Sequence, residues 1–138
     1  MLISGPVGTG KTTFATFIAV YERIFKNLRF EIAKFETYFS SSTRVFDDEY
    51  SRKLSALKYF PVLIIDDFAL TKVNEDYVLP RLYDVIDSRY SDGKKTIFTT
   101  NTGSRSDIES KVGVAIADRI FESCRVMTMK GESFRRKA

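Results

Sequence analysis

The eight residues GPVGTGKT, at positions 5 to 12, decide the fold class of this chain. They match the phosphate-loop pattern G-x-x-x-x-G-K-[ST] at every position. Glycines let backbone N–H groups turn inward around a phosphate without Cβ clashes, and the N-terminus of a following helix adds partial positive charge. An apolar pair, Leu2 and Ile3, precedes the loop, and apolar residues at helical spacing follow it. The sequence therefore predicts the strand–loop–helix unit of a nucleotide-binding domain.

Two side chains of this loop have separate chemical roles. Lys11 is expected to bridge the β- and γ-phosphates of ATP or ADP, and the Thr12 hydroxyl is expected to be a ligand of Mg2+. The other loop residues and the residue after them are expected to bind the nucleotide: Gly5, Pro6, Val7, Gly8, Thr9, Gly10 and Thr13. The alternative is a chance glycine turn before a helix, and the flanking strand and helix argue against it.

The rest of the chain alternates short apolar runs with amphipathic stretches, a pattern typical of a parallel sheet with crossover helices. It predicts strands at 2–3, 28–33, 62–65, 96–100 and 126–129. It predicts helices at 11–25, 35–39, 46–59, 79–90 and 114–123. A further short helix is expected to start at a capping box formed by residues 106 to 109, with Ser106 as its first capping residue. The fold class is therefore α/β, with about five strands flanked by helices.

Polar side chains stand where two of the predicted strands end. Asp66 and Asp67 follow the run at 62–65, and Asn101 follows the run at 96–100. Because strand ends line the ligand crevice of such sheets, we expect all three near the phosphate loop. There Asp66 would hold Mg2+ through water, Asp67 would orient or deprotonate the attacking water, and Asn101 would hydrogen-bond the γ-phosphate. The alternatives are an Asx turn for the carboxylates and a loop-starting role for the amide.

Composition excludes several kinds of chemistry. The 138 residues, a length that fits one domain, contain no His and a single Cys, Cys124. A Ser-His-Asp triad, a zinc site with Cys/His spacing and an internal disulfide are therefore excluded. The lone cysteine and the lack of a membrane span or secretion signal favour a cytoplasmic protein. The net charge of +4 permits contact with nucleic acid without requiring it.

Together these motifs resemble the AAA+ ATPases, and more narrowly the bacterial helicase loaders typified by DnaC and DnaI and the related IstB transposition helpers. The matching segments, in the family's order, are GPVGTGKT at 5–12, VLIIDDF at 62–68, VIDSRYSDGKKTIFTTN at 85–101 and ADRIFESCRVMTMKGESFRRK at 117–137. The first motif is shared by all P-loop proteins, and the other three are more specific. The resemblance implies a three-layer P-loop core whose helical lid is reduced or absent.

The resemblance also implies roles for individual residues. Asp66 would be the magnesium-associated acid, Asp67 the catalytic carboxylate and Asn101 the first sensor residue. Arg119 matches the region that supplies an arginine finger to a neighbouring subunit, and Arg135 matches the second sensor position, which reaches the γ-phosphate of its own nucleotide. The alternatives are a surface ion pair for Arg119 and a solvated tail for Arg135. Since Asp is shorter than the Glu of many AAA+ proteins, slow, switch-like hydrolysis is expected.

The chain also departs from the helicase loaders, because nothing precedes its first strand where they carry a helicase-binding region. We therefore expect residues 1–138 to be one AAA+ domain without that region. By the same resemblance, the insert at 35–59 is expected to contact DNA. It interleaves cations with aromatic residues, a combination that suits single strands: Arg44, Arg52, Lys53 and Lys58 with Phe46, Tyr50 and Tyr59. An ordinary amphipathic helix is the alternative.

Four functions are compared. The leading hypothesis is an ATPase of DNA replication that assembles with copies of itself on single-stranded DNA, with a replicative helicase as partner in the parent system. The others are an IstB-like transposition helper on duplex DNA, a nucleotide-dependent interaction module with little turnover, and a small-molecule kinase. The kinase would need an Arg-rich lid, and no such insert is present in the sequence.

Overall fold

The structure, a computed structural model, describes residues 1–39, 48–73 and 76–136, and only the backbone of residue 136. Five strands lie in these ranges: β1 (Leu2–Ser4), β2 (Phe30–Lys34), β3 (Val62–Asp66), β4 (Lys95–Thr100) and β5 (Val126–Thr128). They alternate with helices α1 (Lys11–Lys26), α2 (Phe35–Phe39), α3 (Asp48–Ala56), α4 (Leu79–Ser91), α5 (Arg105–Val112) and α6 (Val114–Ser123). A 3-10 turn, Phe134–Arg136, follows β5.

The strands form one parallel sheet in the order β2-β3-β4-β1-β5, which confirms the predicted α/β class. At the carboxyl ends, Ser4 of β1 pairs with Thr100 of β4 on one side and with Thr128 of β5 on the other. Asp66 of β3 pairs with Lys34 of β2. All five strands therefore end at the same edge of the sheet, and that edge receives the phosphate loop.

Helices cover both faces of the sheet, which makes three layers. Val62 and Ile64 of β3 pack in a cluster with α1, whereas Leu63 and Ile65 belong to the larger cluster on the other face. Successive residues of a strand point to opposite faces, so a fully apolar run can serve both layers. Buried side chains of the larger cluster come from five helices: Phe35, Phe39, Leu54, Leu82, Val85, Ile86, Ile108, Val112, Ile116, Ala117 and Ile120. Among the described helices, none combines the length and apolar character needed to span a bilayer.

Most predicted boundaries agree with the structure to within two residues. The helix predicted at 46–59 ends earlier, at Ala56, and one start signal was misplaced. The helix at 114–123 is confirmed at both ends, and α4 carries Pro80 in its first turn, where the missing N–H costs no helical hydrogen bond. The prediction that Ser106 caps α5 is wrong, because Ser104 is the capping residue and its Oγ accepts the Asp107 N–H at 3.4 Å. Ser104 stands three residues before Asp107, just as Ser106 stands three residues before Glu109. The capping-box pattern therefore also fits two residues earlier than predicted.

A buried arginine fastens the opposite end of the sheet. Arg89 of α4 is 1% exposed. Its guanidinium donates to the carbonyls of Leu57 at 2.8 Å, Phe60 at 2.7 Å and Lys95 at 2.7 Å, and to Thr96 Oγ1 at 2.9 Å. Burial lowers the pKa of Arg89 to about 10. The side chain thus ties α4 to the segment before β3 and to the start of β4.

Candidate functional site

The phosphate loop joins β1 to α1 at the carboxyl edge of the sheet. The Gly5 N–H donates to the Thr100 carbonyl at 3.2 Å, which fixes the loop on β4. Gly8 and Gly10 have φ angles of 81° and 88°, in the left-handed region that favours glycine. Gly10 is also the capping residue of α1. The helix N-terminus therefore faces the space enclosed by the loop.

The ammonium group of Lys11 lies inside the loop. Lys11 is 6% exposed, and its Nζ donates to the carbonyls of Gly5 at 2.8 Å and Pro6 at 2.7 Å. Burial lowers the pKa of Lys11, while the negative charges of Asp67 and Asp66 act in the opposite direction. The two carboxylates are thus close enough to act on the cation of the loop.

Asp66 links the loop to the neighbouring strand through one carboxylate oxygen. Its Oδ1 accepts from Thr12 Oγ1 at 2.7 Å and from Thr99 Oγ1 at 2.6 Å. A hydroxyl and a carboxylate are the oxygen ligands that Mg2+ takes from proteins beside a bound phosphate, so Thr12 and Asp66 fit this ion. Within the described ranges there is no cluster of three or more His, Cys, Asp or Glu side chains that would form a separate metal site.

Thr99 also positions the second carboxylate, that of Asp67. No sequence motif indicated this role of Thr99. Its hydroxyl accepts the Asp67 N–H at 3.0 Å, and its carbonyl accepts the Phe68 N–H at 2.7 Å. Asp67 has a φ of 54°, so the chain turns in the left-handed region directly after β3. The only sequence signal for this role of Thr99 is its position two residues before Asn101, near the end of an apolar strand.

The predicted residues converge on a cavity of about 870 Å³. Asp67, Asn101 and Arg135 line it together with most of the phosphate loop. The positive charge of Arg135 also contributes to the lowered pKa of Lys11, after burial, which is the largest cause. Four separate segments of the sequence therefore meet around one space.

The segment after β5 packs directly on the phosphate loop. Its Phe134 N–H donates to the Gly8 carbonyl at 3.0 Å. A Cβ added at Gly8 would overlap the hydroxyl of Ser133, and one added at Gly5 would overlap the carbonyl of Met129. Glycine is thus required at both positions for the close approach of this segment.

Arg119 does not line this cavity. It lies on α6, where its Nε donates to Asp87 of α4 at 2.9 Å and its guanidinium carbon lies 4.8 Å from the centre of the Tyr90 ring. One third of its side chain is exposed. The structure therefore brings Arg135 to the phosphate loop and leaves Arg119 on the surface formed by α4 and α6.

The insert predicted to contact DNA is only partly described. Arg44 and Phe46 lie outside the described residues, and α3 carries Arg52 and Lys53. Tyr50 packs against the core and donates through its hydroxyl to the Tyr38 carbonyl at 2.6 Å, so it serves the fold. Tyr59 is 72% exposed, with Lys94 Nζ 5.4 Å from its ring centre. Lys58 pairs with Asp84 of α4.

Two comparisons with known proteins bear on this site. A protein-family model described as IstB-like ATP binding protein matches residues 1–138, the whole chain. No curated protein was found to be significantly similar to the chain.

Solved structures share the fold at low sequence identity. The DnaC helicase loader is 23% identical with a TM-score of 0.72, and the match covers 94% of this chain and 77% of that one. DnaI is 19% identical with a TM-score of 0.73, covering 96% and 70%. A replication initiator DnaA bound to AMPPCP and single-stranded DNA is 16% identical with a TM-score of 0.77, covering 96% of this chain but only 40% of that chain. At these identities the likeness concerns the fold, and the chain spans less than half of the DnaA protein.

Proposed function

Because the chain belongs to the family of IstB-like ATP-binding proteins, we propose that it is a slow Mg2+-dependent ATPase that acts on single-stranded DNA during replication, in an ATP-dependent assembly of several copies. The observation that carries the proposal is the convergence on one cavity of the phosphate loop, Asp67, Asn101 and Arg135. Asp66 joins them through its hydrogen bond to Thr12.

The phosphate chain of ATP would be bound mainly by the backbone. The N–H groups of the loop and the N-terminus of α1 point at the same space and favour an anion. Lys11 leaves the carbonyls of Gly5 and Pro6 and bridges the β- and γ-phosphates. Thr12 and Asp66 would hold Mg2+, which when bound supplies positive charge to the same phosphates.

Hydrolysis requires a positioned water, and Asp67 and Asn101 are the residues proposed to position it. Both line the cavity beyond the loop. Asp67 orients the attacking water and accepts its proton, and Asn101 hydrogen-bonds the water and the γ-phosphate. Arg135, which belongs to the same chain as the phosphate loop, stabilises negative charge on the γ-phosphate. Asp67 has one methylene fewer than Glu, so its reach is shorter and turnover is slow.

Arg119 would act on a neighbouring copy. It lies outside its own cavity, on an exposed face, with its guanidinium anchored by Asp87 and the Tyr90 ring. An arginine held in this way can enter the site of another subunit without much loss of side-chain entropy. In other NTPases such a residue contributes a rate factor on the order of 10³ to 10⁵.

Two further features support the choice of single-stranded DNA. The DnaA structure with the same fold is bound to a single strand, and the exposed Tyr59 ring has a cation beside it, Lys94, whose Nζ lies 5.4 Å from the ring centre. The family match equally favours an IstB-like helper on duplex DNA. Affinity for single-stranded and duplex oligonucleotides, measured with and without ATP, decides between them: tighter ATP-dependent binding of the duplex would favour the transposition helper.

The primary test is binding of adenine nucleotides by calorimetry, with and without Mg2+. The wild-type protein should bind ATP more tightly with Mg2+, and Lys11→Ala should weaken binding by about 30-fold or more, because a buried cation that contacts two phosphates is lost. Lys53→Ala is the control, since Lys53 pairs with Glu49 on the exposed side of α3 and does not line the cavity. Equal affinity of wild type and Lys11→Ala would overturn the proposal.

A further inference from the structure

The cavity has an apolar wall that phosphate chemistry does not use. Four of its lining side chains are Phe14, Phe17, Met129 and Phe134. Two of these rings are strongly exposed, Phe17 at 67% and Phe134 at 69%. Exposed phenylalanine is costly in water, and two such rings beside one phosphate loop offer their faces to a planar, apolar part of a ligand.

Helix α1 places Phe17 on the cavity side at a defined distance. Gly10, Phe14 and Phe17 are spaced at i, i+4 and i+7, so they share one face of the helix. Seven residues correspond to about 10 Å along the helix axis. Phe17 thus stands beyond the phosphate-binding N-terminus of α1, which leaves room between them for an α-phosphate and a ribose.

The segment after β5 supplies the second ring, and its backbone is fixed on the loop. The Phe134 N–H is bonded to the Gly8 carbonyl, and Ser133 Oγ accepts the Arg135 N–H at 3.3 Å. The position of the Phe134 ring is therefore coupled to the phosphate loop although the ring itself is exposed. A ligand that fills the loop with phosphates would bring its base next to this ring.

We propose that Phe17 and Phe134 form the base-binding subsite of the cavity, against which the nucleobase of the bound nucleotide stacks. This inference rests on the proposed binding of ATP at the phosphate loop and adds the residues that recognise the base. Stacking on an aromatic ring is tolerant of base identity because every base has a π-face. The subsite accordingly supplies affinity for the nucleoside part of the ligand, in addition to the affinity that the loop supplies for its phosphates.

The test compares ATP with inorganic tripolyphosphate, which carries the phosphates without a base. Both are titrated with Mg2+ into wild type, Phe17→Ala, Phe134→Ala and the control Phe25→Ala. Phe25 is 70% exposed on α1 and does not line the cavity, so its exposure matches that of the tested rings. Each cavity variant should weaken ATP binding by about 5- to 30-fold and leave tripolyphosphate binding unchanged. The control should change neither.

The outcomes separate this inference from the proposed function. If wild type binds both probes and the two cavity variants keep wild-type affinity for ATP, the base subsite is wrong and the phosphate site stands. The same conclusion follows if both probes weaken equally. If wild type binds neither probe, nucleotide binding itself fails, and the subsite fails with it.

A second variant, Phe134→Trp, tests the contact between base and ring even if truncation of Phe134 to Ala disturbs the loop. The chain contains no Trp, so Phe134→Trp introduces a single indole into the cavity wall. Its emission should shift when ATP binds, because the base stacks on the ring, and should stay unchanged with tripolyphosphate. An equal response to both ligands, or a response to neither despite binding measured by calorimetry, would contradict contact between base and ring.

Discussion

At the scale of single residues, the site is organised around the hydroxyl of Thr99. This group donates to Asp66 Oδ1 and accepts the Asp67 N–H, so it holds both acidic residues of the strand end at once. Thr99 is fully buried. A buried hydroxyl with a donor and an acceptor both in use leaves little freedom to the groups it contacts. Thr99 is therefore a positioning residue for the two carboxylates.

Replacing Thr99 by Val tests this role with almost no change of shape. The variant should lower kcat for ATP hydrolysis by about 10- to 100-fold, because one buried N–H is left unsatisfied and Asp66 loses a donor. KM for ATP should change little, since the loop and Lys11 are intact. Steady-state kinetics with Mg2+ provide the measurement.

Thr99→Ser serves as the matched control because it keeps the hydroxyl and removes only a methyl group. It should retain most of the wild-type kcat, although it also lowers packing in β4. A loss of turnover in the Ser variant as large as in the Val variant would show that Thr99 acts through packing alone.

The sequence predicted which residues surround the cavity but not how they are held. Lys11, Asp66 and Asn101 could be placed because a loop motif and two strand ends must meet at one edge of a parallel sheet. Thr99 could not, since a β-branched residue in a strand is already explained by strand propensity. The contact of Phe134 with Gly8 depends on where the segment after β5 turns, and no periodic pattern specifies such a turn.

At the scale of secondary-structure elements, both ends of the sheet are held by hydrogen bonds, which involve the backbone of the phosphate loop at one end and the Arg89 side chain at the other. At the carboxyl ends, the loop is bonded to β4 through Gly5 and to the segment after β5 through Gly8. At the amino ends, Arg89 bonds to carbonyls beside β3 and β4. Apolar periodicity predicted the strands and helices themselves. It could not predict these cross-links, because a cation in an amphipathic helix is normally solvated.

Arg89→Met should destabilise the fold by roughly 2–4 kcal/mol, because it leaves the buried Leu57 carbonyl and the partly buried Phe60 and Lys95 carbonyls without their donor. Arg89→Lys keeps the charge but cannot reproduce the planar fork, so it should recover only part of the loss. Urea denaturation followed by circular dichroism gives the free energy of unfolding. The control is Arg81→Met on the same helix, where the exposed guanidinium donates to the Tyr77 carbonyl. If Arg89→Met lowers the free energy of unfolding no more than Arg81→Met does, Arg89 does not hold the end of the sheet.

At the scale of the whole molecule, the cavity and Arg119 lie apart, so Arg119 can act on a nucleotide only in the proposed assembly of several copies. Arg135 reaches the cavity of its own chain, whereas Arg119 is held on the surface of α4 and α6. If copies associate head to tail, the α4/α6 surface of one copy faces the cavity of the next, and such an arrangement is heterologous. Hydrolysis then requires two copies, so the rate per subunit depends on protein concentration.

ATPase activity measured at rising protein concentration tests this arrangement. The wild-type rate per subunit should increase with concentration and then level off, and Arg119→Ala should stay at the low-concentration rate because the arginine would stabilise the transition state in trans.

Asp87→Asn is the informative control, since it breaks the ion pair of Arg119 but keeps the guanidinium. If the ion pair is the whole role of Arg119, both variants lose the same stability and neither changes the dependence of the rate on concentration. If Arg119 acts on a neighbouring copy, Asp87→Asn retains a concentration-dependent rise that Arg119→Ala lacks. Turnover that is independent of concentration in both wild type and Arg119→Ala would contradict the role of Arg119 between subunits.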